Sequence, residues 1–182
     1  AANISGIRSV AIGTNALAAN TSGSYNVAVG GLNLSANTTG YANVAVGDVV
    51  LPVNTTGHTN MGVGAYALLT NTTGISNTAS GTQALSSNTT GNYNVATGRS
   101  ALQFSTTGSD NVAIGLQSMY SNSTGFNNVG SGSYSLHSIT TGNSNTAMGC
   151  QTLLSNTTGR LNTAIGFNSL LSNTDGIVNT AI

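Results

Sequence analysis

The chain has 182 residues and only six charged side chains, Arg8, Arg99, Arg160, Asp48, Asp110 and Asp175, with a formal net charge of zero and no Lys, Glu or Trp. A charged fraction of 3%, against roughly 25% in ordinary soluble proteins, excludes a basic groove for nucleic acid phosphates and a polybasic face for anionic lipid. Apolar runs such as Val49 to Val53 fall far short of the about 20 residues a bilayer span needs, so no membrane insertion is expected. Cys150 stands alone, which excludes an internal disulfide or a cysteine metal cluster. The opening AANISG has neither a basic nor an apolar region, so a signal peptide, if there is one, is expected outside this chain.

The ordering signal is a repeat. Asn occurs at 26, 43, 60, 77, 94, 111, 128, 145, 162 and 179, with Ser9 one step earlier, each step being seventeen residues. With that Asn as position 1, about ten and a half units follow one another without insertion or deletion, so residues 1–182 are expected to form one repetitive domain with no separate cap or linker. Along each unit, positions 1 to 4 read Asn-Val-Ala-Val or a close variant, position 5 is Gly from Gly13 to Gly166, positions 8 to 13 read Ala-Leu-x-x-Asn-Thr or similar, and position 15 is Gly from Gly6 to Gly176. Two glycines per unit predict two corners, where φ is positive or the backbone approaches closely. The β-branched segments between them predict two short strands per coil. A unit this small cannot bury its own apolar side chains, and seventeen residues leave no room for a helix pair. The fold expected is all-β, a parallel β-solenoid (β-roll) with one coil per 17 residues, about 50 Å long at about 4.8 Å per coil.

Position 9 is Leu in every unit except Met119, and position 3 is Ala except for Gly62 and Gly130. The Leu column predicts the core, and the small column predicts close packing over it. Side chains in a strand alternate, so position 3 faces away from positions 2 and 4, where Val27, Val29, Val44, Val46, Val112, Ile114 and Ile165 stand. One assignment puts Ala and Leu inside and makes positions 2 and 4 an outward apolar ridge; the other puts Val and Ile inside and Ala outside. The first is preferred because positions 2 and 4 also hold Thr78, Ser80, Thr97 and Ser131, which a closed core penalises without partners. An exposed strip of that length is an association surface, so lateral homo-oligomers are expected.

Position 12 is Asn at Asn3, Asn20, Asn37, Asn54, Asn71, Asn88, Asn122, Asn156 and Asn173. Stacked amides about 4.8 Å apart hydrogen-bond as ladders. All of these but Asn173, and Asn33 besides, also fit the N-glycosylation acceptor pattern. On that reading the Thr-Gly corner is an exposed turn carrying a row of sugars one coil apart. On the other, Asn-Thr-Thr-Gly is ladder and turn chemistry only.

The segments SVAIG at 9–13, NVAIG at 111–115 and NTAIG at 162–166 resemble the head repeats of trimeric autotransporter adhesins. The longer unit NTASGTQALSSNTTG at 77–91 is similar to repeat tracts of bacterial and viral tail-fibre-type proteins. The resemblance implies a β-roll, three chains around an axis, and an extracellular or virion-surface fibre or adhesive shaft. The adhesin heads have a period shorter than seventeen, a departure from the family pattern.

Catalytic constellations fail on spacing. Asp48 and Asp110 lie more than three coils apart, roughly 17 Å, and His58 and His137 more than four, so neither a carboxylate pair nor a two-histidine metal site can form within one chain. No catalytic, cofactor or metal residue is assigned, no cofactor is expected, and the chain is not expected to be an enzyme. The nine aromatic residues, Tyr25 and Phe104 among them, fall mostly at corner positions; contact with surface glycans is one use for them, surface packing another. The expected function is a structural, self-assembling extracellular fibre subunit or adhesin shaft. The alternatives are an ice- or carbohydrate-binding module and a viral tail-fibre shaft. Residue 1 falls at repeat position 10 and residue 182 at position 4, so end-to-end stacking or a longer parent chain is also expected, with a weak junction lacking positions 5 to 9.

Overall fold

The computed structural model describes residues 5–182. Its strands are β1 (Val10–Ile12), β2 (Val27–Val29), β3 (Val44–Val46), β4 (Met61–Val63), β5 (Thr78–Ser80) and β6 (Val95–Thr97). They continue as β7 (Val112–Ile114), β8 (Val129–Ser131), β9 (Thr146–Met148), β10 (Thr163–Ile165) and β11 (Thr180–Ala181). All eleven form one sheet in sequence order, each parallel to the next with like repeat positions paired, as Val27 with Val44 and Val44 with Met61. The chain is a β-solenoid with a seventeen-residue coil, and no helix occurs among the described residues.

Each coil holds one strand, at positions 2 to 4, where two were expected. The return segment, positions 8 to 13, is a run of turns, and its backbone explains why. Non-glycine residues at positions 7, 9 and 17 adopt φ between 49° and 61° in coil after coil, Leu34, Leu51 and Leu68 among them. Each such residue costs roughly 1–2 kcal/mol, and what it achieves is a reversal of side-chain direction. In a strand, positions 8 and 9 would point to opposite faces; here both enter the core, as Ala67 with Leu68 and Ala101 with Leu102, all fully buried. Burying each Leu returns about 1.5–3 kcal/mol, which offsets the cost of its own left-handed backbone at position 9. Coil-to-coil hydrogen bonds persist through the turn, for example Leu34 N–H to the Val50 carbonyl and Ala36 N–H to the Pro52 carbonyl. Pro52, the one proline, occupies position 10, whose N–H donates to no neighbouring coil, so the missing donor costs nothing there.

The two glycine corners differ in kind. Position 5 has φ from 109° to 139°, and from Gly13 to Gly149 a Cβ there would also strike the next coil's backbone. Position 15 has no such φ; a Cβ on Gly57 would collide with the Gly74 carbonyl and with Asn54 Oδ1. Glycine is needed at position 15 for proximity alone.

Inside, Ala28, Ala45, Ala79, Ala96, Ala113, Ala147 and Ala164 are fully buried against the Leu column, so position 3 is interior and positions 2 and 4 face out. The two departures from Ala at position 3 match changes beneath them. A Cβ on Gly62 would overlap Cγ1 of Val50, which stands where most coils hold Ala or Ser, and one on Gly130 would meet Ser118 Oγ at 2.8 Å, Ser135 Oγ at 2.9 Å and Met119 Cε at 3.2 Å. Core volume is conserved coil by coil.

Candidate association surface

Two asparagine ladders hold the coils in register. At position 1 the amides from Asn26 to Asn162 are buried, and those within the rod are fully used: Asn60 Nδ2 donates to Asn43 Oδ1 at 3.2 Å and to the Gly74 carbonyl at 2.7 Å. Its Oδ1 in turn accepts from the Asn77 backbone N–H at 3.0 Å and from Asn77 Nδ2 at 3.2 Å. At position 12, Asn54 Nδ2 donates to Asn37 Oδ1 at 2.8 Å and to the Gly57 carbonyl at 2.9 Å. The position 15 carbonyl is therefore a hub for both ladders: Gly57 O also accepts Asn43 Nδ2 at 2.9 Å. Thr at position 13 does not form a hydroxyl ladder; Thr38 Oγ1 donates to the Thr55 backbone carbonyl at 3.1 Å.

These bonds correct the sugar-acceptor reading. Asn20, Asn37, Asn54, Asn71, Asn88, Asn122 and Asn156 are at most 1% exposed, as is Asn33; Asn3 lies outside the described residues. Nδ2, the atom that carries an N-linked sugar, points inward and donates to a carbonyl, so the exposed turn that glycosylation requires is absent. The exposed residue of the corner is Thr at position 14, from Thr39 to Thr158. It forms a single column, since the position 13 hydroxyls are engaged, whereas an ice-matching array requires regular columns side by side.

What the solenoid does expose is the outer face of its sheet. Val27, Val29, Val44, Val46 and Val112 are half-buried, and Ile114 and Ile165 are exposed, at 44% and 39%. With Met61, Val63, Val129 and Met148 they make two straight columns about 7 Å apart, repeating at about 4.8 Å along the rod. Thr78, Ser80 and Thr97 interrupt the strip at β5 and β6, and Ser131, Thr146, Thr163 and Thr180 do so again from β8 to β11. The corners bordering it carry four of the six charges, Arg8 and Asp110 at position 17 and Asp48 and Arg99 at position 6, all exposed. Arg8 donates to Tyr25 Oη at 3.0 Å; no ion pair joins any two of these charged groups among the described residues. This border was missed in the sequence, although writing the charges onto repeat positions shows it.

Two tyrosines stack on the histidine of the following coil, and Phe104 meets Tyr120 edge-on at 4.9 Å. Tyr41 and His58 lie 4.4 Å apart between ring centroids, Tyr120 and His137 5.1 Å, both pairs within 10° of parallel. The stacked faces are turned toward neighbouring coils, which leaves edges for solvent. Burial of His137 lowers its pKa below the usual 6.5. No three His, Cys, Asp or Glu side chains cluster among the described residues. No family model, no curated protein and no solved structure matches the chain.

Proposed function

We propose that this chain is a structural, self-assembling fibre or shaft subunit of a cell or virion surface, associating laterally with copies of itself through the outer face of its sheet. The observation that carries this reading is the strip of outward Val, Ile and Met at positions 2 and 4 along the sheet, unbroken from β1 to β4 and interspersed with Ser and Thr beyond. From corner to corner the face measures about 50 Å by about 15–20 Å, comparable with the roughly 800 Å² per partner of a stable interface. The resemblance to adhesin head repeats supports the same reading and favours three copies. A coil stacked by seventeen-residue register, with buried amides in place of charges, is suited to a load-bearing rod.

Sedimentation of the purified chain tests it. An oligomer at micromolar concentration is expected, and Val46→Asp with Val112→Asp, both facing outward and so compatible with the fold, should return it to a monomer. A wild-type chain that stays monomeric overturns the reading.

A further inference from the structure

We propose that the copies run parallel and in register, with Arg99 of one copy pairing with Asp110 of the next across the rim of the apolar strip. The inference rests on the self-association reading and adds orientation and partner residues to it. Arg8 precedes β1, Asp48 follows β3, Arg99 follows β6 and Asp110 precedes β7. They stand at opposite edges of the strip, and each edge carries one positive and one negative group.

When parallel rods close around a common axis, symmetry forbids an axial shift between neighbours. The corner before the strand in one copy then meets the corner after it in the next, whatever the number of copies. Arg99 and the partner's Asp110 fall one coil apart, about 5 Å along the rod, and Asp48 and the partner's Arg8 two coils apart, about 10 Å. Both gaps are within reach of a flexible arginine. Like charges fall four and five coils apart, about 20 Å or more, beyond the screening length of about 8–10 Å. A full-length antiparallel pair does the opposite. It lays β6 on β6, so Arg99 faces the partner's Arg99, and Asp110 comes within two coils of the partner's Asp110. The same face buried in the two orientations differs in the sign of its rim electrostatics, and the parallel one is favoured.

Charge reversal and cross-linking test this together. Arg99→Asp or Asp110→Arg alone should weaken association roughly tenfold, and the double swap should restore it. In a Cys150→Ser background, Arg99→Cys with Asp110→Cys should be joined into covalent oligomers by a short bismaleimide, while either cysteine alone should not. Unchanged association in both reversals overturns the inference, and so does ready cross-linking of the Arg99→Cys variant into dimers. If the wild-type chain is monomeric throughout, the self-association reading falls and this inference with it. An oligomeric wild type indifferent to the reversals removes this inference alone.

Discussion

The two asparagine ladders flank the same glycine corner, one on its strand side and one on its turn side, and tolerate change differently. The strand-side ladder at position 1 runs from Asn26 to Asn179 with no substitution. The turn-side ladder at position 12 is broken at Ser105 and Ile139, and the breaks leave Asn88 Oδ1, Ser105 Oγ and Asn122 Oδ1 buried without partners. The difference follows from what each amide serves. A position 1 Oδ1 accepts a backbone N–H of the next coil, as Asn94 Oδ1 does from Asn111 at 3.1 Å, so its loss orphans the main chain. A position 12 amide serves another side chain and a glycine carbonyl that the position 1 amide already reaches. At position 1 the one replacement, Ser9, keeps an acceptor for the backbone, its Oγ taking the Asn26 N–H at 3.1 Å, whereas position 12, where only side chains depend on the amide, admits Ile139, which supplies none.

The most severe way to break that contrast is Asn94→Ala. It strips the acceptor from the buried Asn111 N–H and the one donor from the Gly108 carbonyl, which Ser105 does not replace. The expected loss is about 4 kcal/mol. Asn54→Ala orphans Asn37 Oδ1 but leaves Gly57 O bonded to Asn43, so about 2 kcal/mol is expected. Urea unfolding of the two variants measures the ratio, and equal costs would remove the distinction.

Next in size is the strand wall itself. Gly62→Ala pushes a methyl into Val50 Cγ1 and should cost about 2 kcal/mol as overpacking. Val50→Ala in the same chain should recover most of it, because the two sites share one space. An additive double mutant would mean that Gly62 serves some purpose other than volume.

The period, the Leu and Ala columns and the outward ridge were legible because each is a fixed residue type at a fixed step. The return segment was not. Ala-Leu at positions 8 and 9 reads as strand by composition, and only a left-handed Leu such as Leu85 (φ 51°) lets both side chains point inward. Leucine is an uncommon residue for that conformation, so composition gave no cue. Asn-Thr-Thr-Gly was legible as ladder chemistry and equally as a sugar acceptor. The choice turned on whether Asn37 or Thr39 faces solvent, which depends on the corner geometry rather than on residue type.

Repairing the turn-side ladder should stabilise the rod. Ser105→Asn supplies an Nδ2 to Asn88 Oδ1 and to the Gly108 carbonyl, in a corner that other coils already fill with Asn, for a gain of about 1 kcal/mol. The sharper measurement is in combination: with Ser105→Asn present, Gly108 O has a second donor, so Asn94→Ala should cost less than it does alone. No coupling between the two would show that the ladders do not share the carbonyl.

The smallest effect expected is on pH dependence, and it belongs to the second break. His137 sits two residues before Ile139, on the same turn, stacked against Tyr120 and tilted against Tyr134 at 5.7 Å between centroids. Burial lowers its pKa below 6.5, which favours the neutral ring in the folded chain. As pH falls from above 6.5 toward the folded pKa, the unfolded chain binds a proton that the folded chain resists, so stability declines across that window and levels off below it. The ring is only partly buried, so the slope is shallow. His137→Gln should flatten it, measured as the difference between variant and wild-type unfolding midpoints on both sides of the window. A variant with an unchanged slope would assign the pH dependence elsewhere, and one with a steeper slope would mean that the stacked ring is stabilised by protonation, through the attraction of a cation to the Tyr120 face.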